Sequence, residues 1–336
     1  MITARQLLKE VTIGLCGLAL VVFLCAFVGS EPLSVEGIVK GRQPDAQIFF
    51  QVRIPRLLLA VLVGASLASA GAVFQVLLRN PLAEPYILGI SSGAGLGVMT
   101  AVLVGVHWSG WGLSGASLLA FVGAAGTTLL VWWLGGFTGR TVGPGLILAG
   151  VIVNVFFSAV MMLLASMAPG GQFQTTLFWL MGCLSSYTDW PVWLVSVVLV
   201  GAGFGVLFYL SPQLNILSLG TSEARSLGVV PERLFPTALA AAALMTSTAV
   251  SLSGLIGFVG LIVPHSVRLL FGADHRRLLP MCAIFGAVFL VISDTIARIL
   301  IHQVQLPTGV VTALAGGPFF LFLLIRQSKQ LYGGTL

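Results

Sequence analysis

The sequence predicts an all-α integral membrane protein with about ten transmembrane helices, and three observations predict it. Of the 336 residues, 57% are hydrophobic and 8% are charged, where an ordinary soluble domain carries about 25% charged residues. Apolar runs of about twenty residues recur, the length that a helix rising about 1.5 Å per residue needs to cross a hydrocarbon core of roughly 30 Å. The short alternating strands of a membrane barrel are absent. The 41 glycines suit such a bundle, because small residues let membrane helices approach closely where packing drives association.

The spans fall at 11–29, 57–78, 87–106, 113–135, 143–167, 190–210, 234–252, 258–271, 278–300 and 308–325. Arg5 and Lys9 precede the first one. Its apolar run is longer than the core of a signal peptide and no A-x-A-like site comes after it, so it reads as a retained helix. The second span carries Gly64, Ala68, Gly71, Gln75 and Arg79 on one helical face, which suits either a packing seam or a substrate-contacting face. Arg79-Asn80-Pro81-Leu82-Ala83-Glu84-Pro85 then makes a stiff turn, with two prolines and an amide. The fifth span opens on a Gly-Pro-Gly entry at 141–146, where weak helix propensity lets a helix start shift at modest cost. The eighth is short, contains Pro264 and comes directly after the Gly-rich stretch 253–257, as a broken or half helix would. Longer connections lie at 30–52, 168–189 and 211–233, and no soluble domain fits between the spans.

With the N-terminus in the cytoplasm, eleven basic residues fall inside and five outside (Lys40, Arg42, Arg53, Arg56 and Arg298). That asymmetry and the even span count place both termini in the cytoplasm. Trp108, Trp111, Trp190 and Trp193 fall at outer helix ends, and Trp132 and Trp133 at an inner one, where indoles favour the interface.

Several function classes are excluded. The basic residues are scattered, so no nucleic-acid surface is expected. No GxxxxGK[ST] loop is present, so ATP hydrolysis would need a partner. No H-E-x-x-H or Ser/His/Asp grouping points to catalysis. Cys16, Cys25, Cys183 and Cys282 form no CxxC pair, which argues against a disulfide or metal framework. His265, Asp274 and His275 match no familiar metal-site spacing, and the arginines around them suit salt bridges and caps better. A secondary transporter would need a membrane-embedded acid or base for ion coupling, yet every Asp and Glu lies in or near a loop or helix end.

Two groups stand out as sites. Arg53, Arg56 and Arg298 lie outside the membrane against the charge bias, and arginine suits carboxylate recognition through its planar fork. Headgroup snorkelling, or a pair between Arg298 and Asp294 one turn earlier, is the alternative. In the 211–233 segment, Leu214, Asn215, Leu219, Gly220, Ala224, Leu227 and Gly228 alternate apolar and polar character at helix-like spacing. Such a surface helix either docks a protein or lies on lipid.

Many short motifs in order resemble the FecCD family, permeases of binding-protein-dependent ABC importers for ferric siderophores, haem and cobalamin. They include Arg53-Ile54-Pro55-Arg56, the Arg79–Pro85 turn, Leu148-Ala149-Gly150, the 214–229 segment, Phe258-Val259-Gly260-Leu261, Asp274-His275-Arg276 and Pro307-Thr308-Gly309. The resemblance implies the type II permease architecture of ABC importers, in the cytoplasmic membrane of a bacterium. It implies a homodimer around a central pathway, two cytoplasmic ATPase subunits that consume ATP, and an external binding protein. The chain itself would bind no cofactor. The 214–229 segment would couple to the ATPase, and Arg53, Arg56 and Arg298 would dock the binding protein; separately, the shiftable helix start at 141–146 places Thr141, Val142 and Gly143 near an inner gate. Cys183 and Gln305 depart from the serine and the acidic residue common at those positions.

Overall fold

A computed structural model describes residues 3–105, 115–136, 142–167, 176–184, 190–300 and 306–332. Trp108, Trp111, Thr141 and Gln305 lie outside them. The described residues are helical with irregular connections and include no strand. Ten principal helices run among them in chain order: α1 (Ala4–Phe27), α2 (Ile54–Leu77), α3 (Ile90–Val104), α4 (Gly115–Gly136), α5 (Val142–Met167), α6 (Trp190–Tyr209), α7 (Pro231–Ser253), α8 (Val259–Phe271), α9 (His275–Ile299) and α10 (Thr308–Tyr332). Each predicted stretch coincides with one of them. Seven are long and apolar enough to cross a membrane, while α3, α8 and the apolar part of α10, Thr308–Leu321, are shorter.

The 30–52 connection, expected as a loop, is partly helical. Ser34 caps Val35–Val39 by accepting from the Gly37 N–H, and a π-helical segment, Ile48–Arg53, runs directly into α2. Pro55, which has no N–H to donate, falls where the π-helical segment gives way to α2. In the 87–106 stretch the first residues form a 3-10 turn, Pro85–Leu88. The α-helix begins only after Gly89, whose φ of +74° suits glycine.

The core is built on α2, which packs on α7, α8 and above all α9. About four fifths of the most apolar window of α2 and of α7 is buried (78% each), against 6% for α1. Helix α1 lies on the rim against α9, tied there by Arg277 Nε to Glu10 Oε2 at 2.6 Å. The face of α2 that could have been a seam or a substrate surface packs as a seam. A Cβ on Gly64 would stand 2.3 Å from the Gly286 carbonyl oxygen, and one on Gly71 only 2.1 Å from that of Gly260. Backbone thus meets backbone, the contact that small residues permit in membrane bundles.

Helix α8, 13 residues long, spans only about 20 Å. Because Gly260 meets Gly71, two-thirds of the way along α2, α8 starts deep beside α2 rather than at its end. The stiff Arg79–Pro85 turn explains how that start is held. Asn80 Oδ1 accepts from the Leu82 N–H at 2.9 Å, Glu84 accepts from the Phe258 N–H, and the Tyr86 hydroxyl donates to the Ile256 carbonyl at 2.8 Å. Phe258 sits at φ +68°, a strained conformation that these contacts hold in place.

Candidate functional site

At one end of the bundle the start of α2 meets the end of α9 and the start of α10, and Arg53, Arg56 and Arg298 converge there. They are not free side chains. Arg56 grips Asp294 with two nitrogens, Nε reaching Oδ1 at 3.0 Å and Oδ2 at 3.1 Å and Nη2 reaching Oδ1 at 2.9 Å. Asp294 is fully buried and also accepts from Thr308 Oγ1 at 2.9 Å. Arg298 Nε lies 3.2 Å from Asp294 Oδ2, close enough for an ion pair but without hydrogen-bond alignment. Its guanidinium donates to Thr295 Oγ1 and to the Val28 carbonyl. Arg53, 4% exposed, donates to the carbonyls of Ala26 and Glu31. Gly29 makes room for it, since a Cβ there would fall 2.7 Å from Nη2.

Sequence reasoning anticipated the Arg298–Asp294 pair but not the stronger one with Arg56, whose partner is 238 residues away. The three arginines were expected as an open rim, and the structure packs them as a knot. Burial explains the difference, because a guanidinium removed from water needs a partner for each N–H it can no longer hydrate. Arg56 and Arg298 share one carboxylate and Arg53 has only backbone carbonyls, so the knot keeps a net positive charge.

The opposite end carries the 211–233 segment. It folds as two short helices, Ser211–Leu217 and Thr221–Ser226, joined through Gly220 at φ +146°. A Cβ on Gly220 would collide with the Glu223 carboxylate. Asn215 fastens the segment to the start of α9: its Nδ2 donates to Asp274 Oδ1 at 2.7 Å and its Oδ1 accepts from the His275 N–H at 2.8 Å. Leu214 and Ala224 are fully buried beneath it. These two, grouped with the coupling surface in the sequence, are instead its foundation, because the apolar side of each short helix turns toward the bundle. Leu219 and Leu227 point the other way, 67% and 60% exposed, and Gly228 is exposed beside them. The Glu223 carboxyl is held below its usual range by its own backbone N–H and by the Ser222 hydroxyl.

Val142 and Gly143 fall in the first turn of α5; their side chains, like Thr141 as a whole, are outside the described residues. His265 and His275 do not converge on a shared site: His265 packs edge-on against Phe319, whereas His275 is held by Asn215.

A long helical bundle with polar sites at its two ends fits a transport subunit, and comparison with known proteins decides which kind. The FecCD transport family matches residues 17–326. The chain belongs to that family. It is 38% identical over 313 residues to the hemin transport system permease protein HmuU of Yersinia pestis, covering 92% of each chain. It is 40% identical over 287 residues to the vitamin B12 import system permease protein BtuC of Salmonella arizonae, covering 83% of each. A solved ABC transporter of the metal-chelate type, captured inward-facing, superposes with a TM-score of 0.83 at 34% identity over 95% of this chain and 99% of that one. This FecCD chain is therefore similar over most of its length to permease subunits of ABC transporters, one of them of the metal-chelate type.

Proposed function

We propose that two copies of this FecCD permease, each crossing the bacterial inner membrane ten times with both termini in the cytoplasm, pass a metal chelate delivered by an external binding protein. Ferric siderophore is the first candidate, with haem and cobalamin next. A wide cavity can pass a large chelate with few fixed polar groups, so the cargo is decided by measurement. Uptake compared across the three classes should be at least tenfold higher for one of them, and equal uptake of all would remove the ranking.

The observation that carries the reading is the pair of exposed leucines, Leu219 and Leu227, on a segment bolted to α9 by Asn215. Apolar side chains outside the spans, on a rigid mount, suit a partner that pushes. That partner would be the cytoplasmic ATPase, docking on Leu219, Gly220, Leu227 and Gly228. Leu227→Glu is expected to cut uptake at least tenfold in proteoliposomes while ATP hydrolysis continues. Wild-type uptake with the complex intact would remove the assignment.

At the other end, the net positive charge of the Arg53, Arg56 and Arg298 knot would attract carboxylates of the binding protein. Arg298 is the least buried of the three, so Arg298→Ala should weaken binding-protein affinity about tenfold and flatten its salt dependence. Affinity unchanged at two salt concentrations would exclude it from the dock. The entry to α5 at Thr141, Val142 and Gly143 would form the inner gate.

A further inference from the structure

Beside the coupling segment a cavity of about 340 Å³ opens between the end of α2, α8 and the start of α9. Arg79, Arg268, Gln75 and His275 line it, and Ser218, Leu219 and Gly220 form its rim. Arg268 spends one N–H on Gln75 Oε1 at 3.0 Å. Among the described residues, neither Arg79 nor Arg268 has a carboxylate within ion-pair distance, although six such pairs occur elsewhere. Arg79 is exposed and adopts φ +49°, an uncommon conformation for a residue with a Cβ.

His275, in the wall of the cavity, is fixed in place. It is only 2% exposed, and its Nε2 has no hydrogen-bond partner among the described residues. Its Nδ1 is committed to Asn215 Oδ1 at 2.7 Å. That oxygen also accepts from the His275 N–H, while Asn215 Nδ2 donates to Asp274. Asn215 is thus fixed in orientation and the ring cannot turn Nε2 elsewhere. A buried polar atom without a partner is costly, and the residue that carries it stands in the wall of the cavity.

We propose that this cavity receives an acidic side chain of the ATPase subunit. The inference rests on the docking reading given above and names the chemistry of that contact. A carboxylate answers the charge of the site, because its oxygens accept from the two guanidinium groups. Lipid is the poorer occupant because α2, which forms one wall, is an interior helix. The rim residues belong to the segment that carries Leu227, so a subunit seated on that leucine also covers the cavity.

The test measures affinity of the cognate ATPase for the purified permease at two salt concentrations, for Arg79→Gln, Arg268→Gln and Leu227→Glu. Both arginine variants should bind about tenfold more weakly with a shallower salt dependence, whereas Leu227→Glu should weaken binding with its salt dependence kept. Thermal unfolding of each variant checks the fold, and exposed Arg79 provides the arm least exposed to misfolding. Normal affinity in both arginine variants, with Leu227→Glu impaired, would overturn the acidic contact and leave docking intact. Normal affinity in all three would overturn docking itself. A third arm titrates inorganic phosphate onto the permease alone: arginine-dependent millimolar binding would mark a free-anion site and overturn the partner assignment.

Discussion

Asp294→Ala is expected to lower the stability of the folded chain by about 3–5 kcal/mol, the largest effect of any single side-chain removal in the arginine knot. Asp294 is fully buried and is the acid that Arg56 grips through Nε and Nη2, with Arg298 Nε 3.2 Å away. Deleting it leaves Arg56, itself 7% exposed, as a buried charge without a counter-ion beside two more guanidinium groups. Desolvation that the ion pair had offset then stands uncompensated. Thr308 loses its acceptor as well, so α10 loosens from α9 at this end. Arg298→Ala should cost much less, because Asp294 keeps Arg56. Thermal or denaturant unfolding in detergent reads the difference. An Asp294→Ala midpoint equal to that of the unmodified protein would show that the knot adds nothing to the fold.

Gly71→Ala should destabilise by roughly 3 kcal/mol, the upper end of the usual range for overpacking, and should abolish most transport. The added Cβ would stand 2.1 Å from the Gly260 carbonyl oxygen and 2.5 Å from its Cα. Both atoms are backbone, so no rotamer change relieves the contact and α8 has to move as a body. That movement pulls on Gln75, which donates to the Gly260 carbonyl and accepts from Arg268, and on the Glu84–Phe258 hydrogen bond. Gly201→Ala in α6 is the control with the opposite sign: nothing lies within 4 Å of its added Cβ. Alanine in place of glycine there should stabilise the helix by about 0.5–1 kcal/mol. Equal melting behaviour of the two variants would contradict the close-crossing account of α2 and α8.

The two candidate sites were legible in the sequence to different depths. The 211–233 segment announced itself by polarity and by leucines at helical spacing, and it is a pair of short helices. Spacing alone could not say which leucines turn inward. Leu214 and Leu219 look equivalent in sequence, yet one is fully buried and the other 67% exposed. The first short helix ends at Leu217, so Leu219 sits in the turn before Gly220 and no longer shares the buried helical face. The arginine knot was legible as a charge anomaly, and its local pair, Arg298 with Asp294, could be read from helical spacing. Arg56 with Asp294 had no local signal, since the two are brought together only when α2 packs along α9.

Composition and the lengths of the apolar runs were enough to establish that this FecCD chain is a helical membrane bundle, where its apolar stretches lie, and which segments stay polar. Those are properties of each stretch against its solvent: a run of apolar residues leaves water, and a backbone in hydrocarbon must satisfy its own hydrogen bonds, as a helix does. Tertiary packing alone settled that Gly71 meets Gly260, that Arg56 grips the buried Asp294, and that His275 is held by Asn215. Those are properties of pairs far apart in the chain. Apolar periodicity says that a face is packed but carries no information about which face it packs against, and in a membrane, where most surfaces are equally apolar, shape and hydrogen bonding make that choice.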